Sequence, residues 1–140
     1  MAIAADLLAA YAATDFVVFD GPEQWAIHVG VASPRVDALM DRHGAACATN
    51  VTAFNPRSRV LPPEANKARH QSLVRLLEER GLTFLLGEGR DPSGQWTAET
   101  ECIVFSISLA EGLEIARRFD QNAVVFVERG KAPRLEFPEG

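Results

Sequence analysis

Three polar side chains, Asn66, Arg69 and His70, fall where a helix should present core residues. Leu73, Leu76 and Leu77 recur at ~100° per residue and define the buried stripe of a helix read over residues 64–80. Carried back one and two turns, that stripe runs through Asn66, Arg69 and His70. Burying such groups unpaired costs about 1–3 kcal/mol each, and more for a guanidinium. They must therefore meet protein partners, water or a ligand.

The nearest partners lie in the preceding stretch, Thr52-Ala53-Phe54-Asn55-Pro56-Arg57-Ser58-Arg59. It follows the carboxyl end of a strand and precedes a helix N-terminus, where α/β proteins often form pockets and where free N–H groups favour an anion. From Arg57 to Arg75 there are five basic residues (Arg57, Arg59, Lys67, Arg69, Arg75) against one acid, Glu64, in a chain of net charge −5. The leading expectation is a site for a small anionic ligand, a nucleotide or another phosphorylated molecule. Asn66, Arg69 and the helix N-terminus would hold the anion, with Asn55 and Ser58 orienting it, because the arginine fork suits phosphate or carboxylate. A second reading is a module that docks a protein or nucleic acid through the Arg57/Arg59/Lys67 patch. A third is a small enzyme with Glu99, Asp91 or His70 as acid or base. A purely architectural alternative stands beside all three: Asn55-Pro56 as a turn, with Arg69 clamping the loop by pairing with Glu64, Asp91 or Glu99.

Other signals are weaker. Gly87-Glu88-Gly89-Arg90-Asp91 follows a strand but leads to a turn, so it fails the context of a dinucleotide fingerprint, and its glycines read as a sharp bend. Trp96 reads equally as a hydrophobic plug or a stacking surface. His28, His43 and His70 are scattered without metal-ligand spacing, there is no Walker loop or nucleophile elbow, and no metal or cofactor is expected. Cys47 and Cys102 sit in apolar, strand-like segments and read as buried free thiols.

The elements that would position these residues follow from periodicity. A short helix (4–13), a strand (16–19), a turn at Asp20-Gly21-Pro22 and a partner strand (25–31) lead to a helix started by Ser33-Pro34 and stopped at Gly44. Then come a strand (46–53), the helix 64–80, a strand (82–86), a turn at Asp91–Gly94, and a nearly all-apolar strand (102–107). Ser108-Leu109-Ala110-Glu111 is a capping box opening the next helix, a strand (123–127) follows, and residues 133–137 suggest an edge. From residue 46 to 127 the order is β-α-β-β-α-β, that of a split-βαβ, ferredoxin-like core. The expected fold is thus α+β, a mixed sheet with helices, preceded by helix, hairpin and helix, in one domain over residues 1–140.

With 47% hydrophobic and 24% charged residues the composition is that of an ordinary globular chain, long enough for one core. The net negative charge argues against a broadly basic nucleic-acid surface. The first residues lack a basic leader and are interrupted by Asp6, and no apolar run reaches the ~20 residues of a membrane span, so a cytoplasmic location without membrane partners is expected.

Thr52-Ala53-Phe54-Asn55-Pro56-Arg57-Ser58, followed by Glu64-Ala65-Asn66-Lys67-Ala68-Arg69, resembles the central signature of a family of small bacterial proteins of uncharacterised function. The resemblance extends through Gly87-Glu88-Gly89-Arg90-Asp91-Pro92-Ser93-Gly94-Gln95-Trp96 and Phe119-Asp120-Gln121-Asn122-Ala123, covering roughly residues 10–127. Here Trp96-Thr97-Ala98-Glu99 is one residue longer than the family's Trp-x-Glu. The resemblance implies that Thr52, Asn55, Ser58, Asn66, Arg69, Trp96 and Gln121 belong to one constellation. It implies no chemistry.

Overall fold

A computed structural model describes residues 5–138. The chain runs α1 (Ala5–Ala13), β1 (Asp15–Asp20), β2 (Glu23–Ile27), α2 (Pro34–Arg42), β3 (Cys47–Thr52), a 3-10 turn (Pro56–Ser58), α3 (Pro63–Glu79), β4 (Phe84–Arg90), β5 (Glu99–Phe105), α4 (Leu109–Arg118), β6 (Val124–Glu128) and β7 (Arg134–Glu136). Local chemistry sets the helix ends. Ser33 Oγ accepts from Arg35 N ahead of Pro34, and Ser108 Oγ accepts from Glu111 N. Gly81 ends α3 at φ +68°, a conformation that a side chain would strain.

All seven strands join one sheet in the order β2-β1-β4-β5-β3-β6-β7, and every ladder is antiparallel. The expected mixed sheet is therefore corrected to an antiparallel one. The chain crosses from β3 through α3 to β4 and returns as β5 between them, so the two like-directed strands never become neighbours. Short β7 forms an edge beside β6, within the segment read as an edge strand.

Side-chain alternation divides the core in two. On one face Phe16, Val18, Trp25, Ile27, Ala48, Ile103, Phe105, Val125 and Val127 pack with Val36, Leu39 and Met40 of α2, with Tyr11 of α1 against the same cluster. On the other, Val51, Cys102, Val104 and Val124 pack with Leu73 and Leu77 of α3 and Ile115 and Ala116 of α4. Helices thus cover both faces. No residue of α1 is fully buried, and Tyr11 is its partly buried contact with the core.

β2 ends at Ile27, short of the expected 25–31, and two other strands shift in ways that matter for the site. β4 runs on through Gly87 and Gly89 to Arg90, so these glycines lie inside a strand and not in a bend. β5 begins at Glu99, three residues earlier than its apolar run. Cys102 is buried as expected, whereas Cys47 is only partly so, and both are free thiols. Among the described residues no helix is long and apolar enough to cross a membrane.

Candidate functional site: a cavity beneath helix α1

The register places an unusual row of residues on the α1 face. Thr52 pairs with Glu101, Gly87 pairs with Glu101 from the other side, and Gly89 pairs with Glu99. Glu99 and Glu101, two apart on β5, therefore point to the same face, each flanked by a glycine. A Cβ on Gly89 would sit 3.1 Å from Glu101 Oε1, and one on Gly87 would collide with the Val17 carbonyl. Gly89 leaves room for the Glu101 carboxyl group, and Gly87 admits the Val17 carbonyl and the Ile103 side chain.

Above this row is a cavity of about 480 Å³. Leu7, Ala10 and Tyr11 of α1 roof it together with Thr14 just after the helix, and Phe16, Asn50, Gly89, Glu99 and Glu101 form its sheet side. Asn55, Ser58 and Val60 close one wall, Gln95, Trp96 and Thr97 another, and Gln121 with Ala123 a third. Leu7, Ala10 and Tyr11 face this space, whereas Leu8 is exposed to solvent.

Glu101 is only 4% exposed, and burial pushes its pKa up to about 8; the Asn50 amide opposes the rise, and the charges of Glu99 and Glu88 add to it. Burial also raises the pKa of Glu99, opposed by the bond that Asn55 Nδ2 donates to Glu99 Oε2 at 2.6 Å. Tyr11 is pushed up to about 12 by burial and then by the charge of Glu99, with a Ser58 hydrogen bond opposing. Asn50 is 5% exposed, and its Oδ1 finds no hydrogen-bond partner among the described residues.

The wall at residues 55–58 is built under strain. Asn55, Arg57 and Ser58 all have positive φ (48°, 52° and 60°), each a conformation that costs of order 1–3 kcal/mol. Asn66 is the main brace. Its Oδ1 accepts from Asn55 N at 2.8 Å and its Nδ2 donates to Asn55 Oδ1 at 2.7 Å, while Asn55 Oδ1 also accepts from Leu61 N. Gln121 Nε2 donates to the Phe54 and Phe119 carbonyls, and Asn122 Nδ2 to Ser58 Oγ at 2.8 Å. Thr52 Oγ1 donates to the Thr100 carbonyl and accepts from Phe54 N.

Of the sequence-singled residues, Thr52, Asn55, Ser58, Trp96, Glu99 and Gln121 meet at the cavity. The rest lie elsewhere. Arg69 donates from Nε to the Ala53 carbonyl at 2.7 Å and from its terminal nitrogen to the Phe119 carbonyl, with its guanidinium 6.0 Å from the Phe119 ring centre. It clamps two backbone carbonyls, not the acids Glu64, Asp91 or Glu99. Asn66 is buried behind the loop that it braces. Arg57, Arg59 and Lys67 are exposed, and among the described residues the Arg57 side chain reaches only Asp120, at 3.8 Å.

Among the acid–base candidates only Glu99 reaches the cavity. His70 packs edge-on against Phe54, with Nδ1 buried and unpartnered among the described residues, and burial lowers its pKa. Asp91 accepts from Ser93 N, Ser93 Oγ and Gln95 N, and these bonds hold its carboxyl below the usual range. It shapes the loop that carries Trp96. Among the described residues no three His, Cys, Asp or Glu side chains cluster closely enough to hold a metal ion.

Tyr11, Asn50 and Glu101 escaped the sequence reading. The signal was present for Glu101: extending the apolar strand back by period two puts Glu99 and Glu101 in line with Ile103, opposite glycines spaced the same way. Comparison with curated proteins and with solved structures gives no match. Residues 51–124, just over half the chain, match the family described as "Protein of unknown function (DUF3293)". That stretch holds Thr52, Asn55, Ser58, Trp96, Glu99, Glu101 and Gln121, most of the cavity's polar wall, and the chain belongs to this family.

Proposed function

We propose that this protein binds a small organic molecule in the cavity beneath α1, with an apolar body and a polar head that is not anionic. The carrying observation is a roofed space of about 480 Å³ whose floor presents two carboxyl groups and an orphaned amide oxygen, with apolar side chains of Leu7, Phe16, Val60 and Trp96 around them. Leu7, Ala10, Phe16, Val60 and Trp96 suit the body; Glu99, Glu101, Asn50 and Tyr11 suit the head. A strained loop held by several braces also favours a functional wall over a plain connection. An anion in this space would face two acids without a basic partner, which disfavours the phosphate reading. The strand order β4-β5-β3-β6 supports a ferredoxin-like core as the scaffold.

A second reading has its own support. Two carboxyl groups on one strand face, both with raised pKa values inside a cavity, suit proton transfer, with Glu99 as base and Glu101 as acid.

The test is thermal unfolding against small amines, alcohols, ketones and phosphate esters, with Ala10→Trp alongside to fill the roof. A ligand at ~100 times its dissociation constant adds about 2.7 kcal/mol. Stabilisation by non-anionic compounds, absent in a folded Ala10→Trp variant, supports the reading; stabilisation by phosphate esters alone, unchanged in that variant, defeats it.

A further inference from the structure

We infer that the polar head is an organic ammonium group, seated between Glu99, Glu101 and the free Oδ1 of Asn50. The inference rests on the reading of the cavity as a ligand site and names the ligand class.

Most donors around the cavity floor are already committed within the protein. Thr52 Oγ1 gives its proton to the Thr100 carbonyl, and Asn55 Nδ2 to Glu99. Gln121 Nε2 serves the Phe54 and Phe119 carbonyls. The acceptors remain open: Asn50 Oδ1 has no partner among the described residues, and Asn55 occupies only one oxygen of Glu99. Glu101, buried beside them, meets the Asn50 amide but no basic side chain among the cavity's lining residues. A surface rich in acceptors asks its ligand for donors, and an ammonium offers three N–H bonds and a positive charge. Trp96, within 4.0 Å of a Cβ placed on Gly89, adds an aromatic ring near the same point, where it favours a cation.

Binding would then move a proton. Glu101 holds its proton up to a pH of about 8, because it is buried and because Glu99 and Glu88 lie nearby. Burial raises Glu99 as well, but Asn55 bonds one of its oxygens and opposes the rise, and the remaining titratable groups leave that exchange to Glu101. Glu88 is paired with Arg90, Tyr11 keeps its proton to about 12, and Asp15 on β1 is paired with His28. An arriving ammonium therefore expels the Glu101 proton into solvent at neutral pH, and the site gains affinity as the pH rises.

Calorimetry with 3-phenylpropylamine, 3-phenylpropanol and 3-phenylpropanoate separates the possibilities, since the three share a body and differ in the head. The amine should bind tightest, tighten about tenfold between pH 7 and 9, and release close to one proton at pH 7. Glu101→Gln should weaken amine binding and abolish its pH dependence. An alcohol bound as tightly as the amine, or an amine affinity flat across this range, overturns the ammonium assignment and leaves the cavity reading standing. No heat and no stabilisation from any of the three overturns both.

Discussion

Replacing Arg69 with alanine separates architecture from ligand binding. The guanidinium bonds the Ala53 and Phe119 carbonyls, and Ala53 is fully buried, so water cannot readily replace the lost donor there. An orphaned buried carbonyl costs about 1–3 kcal/mol, and the stack on Phe119 adds about 0.5–1 kcal/mol. A total loss of ~3 kcal/mol lowers Tm by roughly 10–15 °C in a domain of this size. Arg69→Lys keeps the charge and one donor and should lose about half as much. Thermal and urea unfolding of the three proteins measure this directly. A fall in Tm below about 3 °C for Arg69→Ala, accompanied by loss of binding to a phosphorylated ligand, would refute the clamp and return Arg69 to an anion site.

Two further outcomes follow from buried groups. Glu101 in the folded chain keeps its proton to a pH of about 8, whereas the unfolded chain releases it near 4.5, so the folded state binds more protons between these values. Its contribution to stability is present at low pH and is lost progressively from about pH 4.5 to 8, on the order of 3–5 kcal/mol. Glu101→Gln should remove that slope and be the more stable protein at pH 8.5; a wild type whose stability does not fall over this range contradicts the burial argument. On the opposite face, a Cβ at Gly112 would lie 2.8 Å from Thr49 Oγ1. Gly112→Ala should therefore cost roughly 1–3 kcal/mol, and Thr49→Ala in the same chain should recover most of it, since Thr49 Oγ1 has no partner to lose among the described residues. Additive losses in a double-mutant cycle would show that the two positions do not touch.

Much of the fold is local in origin and so was legible. Ser33-Pro34 and Ser108 start α2 and α4, and Gly44 and Gly81 mark helix stops, because caps and positive-φ glycines act within a few residues. The polar stripe on α3 correctly announced that Asn66 and Arg69 need partners. It could not say that the partners are Asn55 and two backbone carbonyls, one of them 50 residues away at Phe119. Glu101 was missed for a related reason. A charged residue beside an apolar run reads as a strand end, and it is pairing with Gly87 and Thr52, next to Gly89, that sets it in the space where it is buried. The cavity depends on register between strands, and a single sequence does not display register.

The central claim is that the ligand site is the cavity on the α1 face of the sheet, and mapping amide NMR shifts during titration with 3-phenylpropylamine tests it most directly. Perturbations should centre on Tyr11, Asn50, Gly89, Glu99 and Glu101 and spread to Trp96. Shifts confined to Arg57, Arg59, Lys67 and the start of α3, with the cavity residues unmoved, would contradict it.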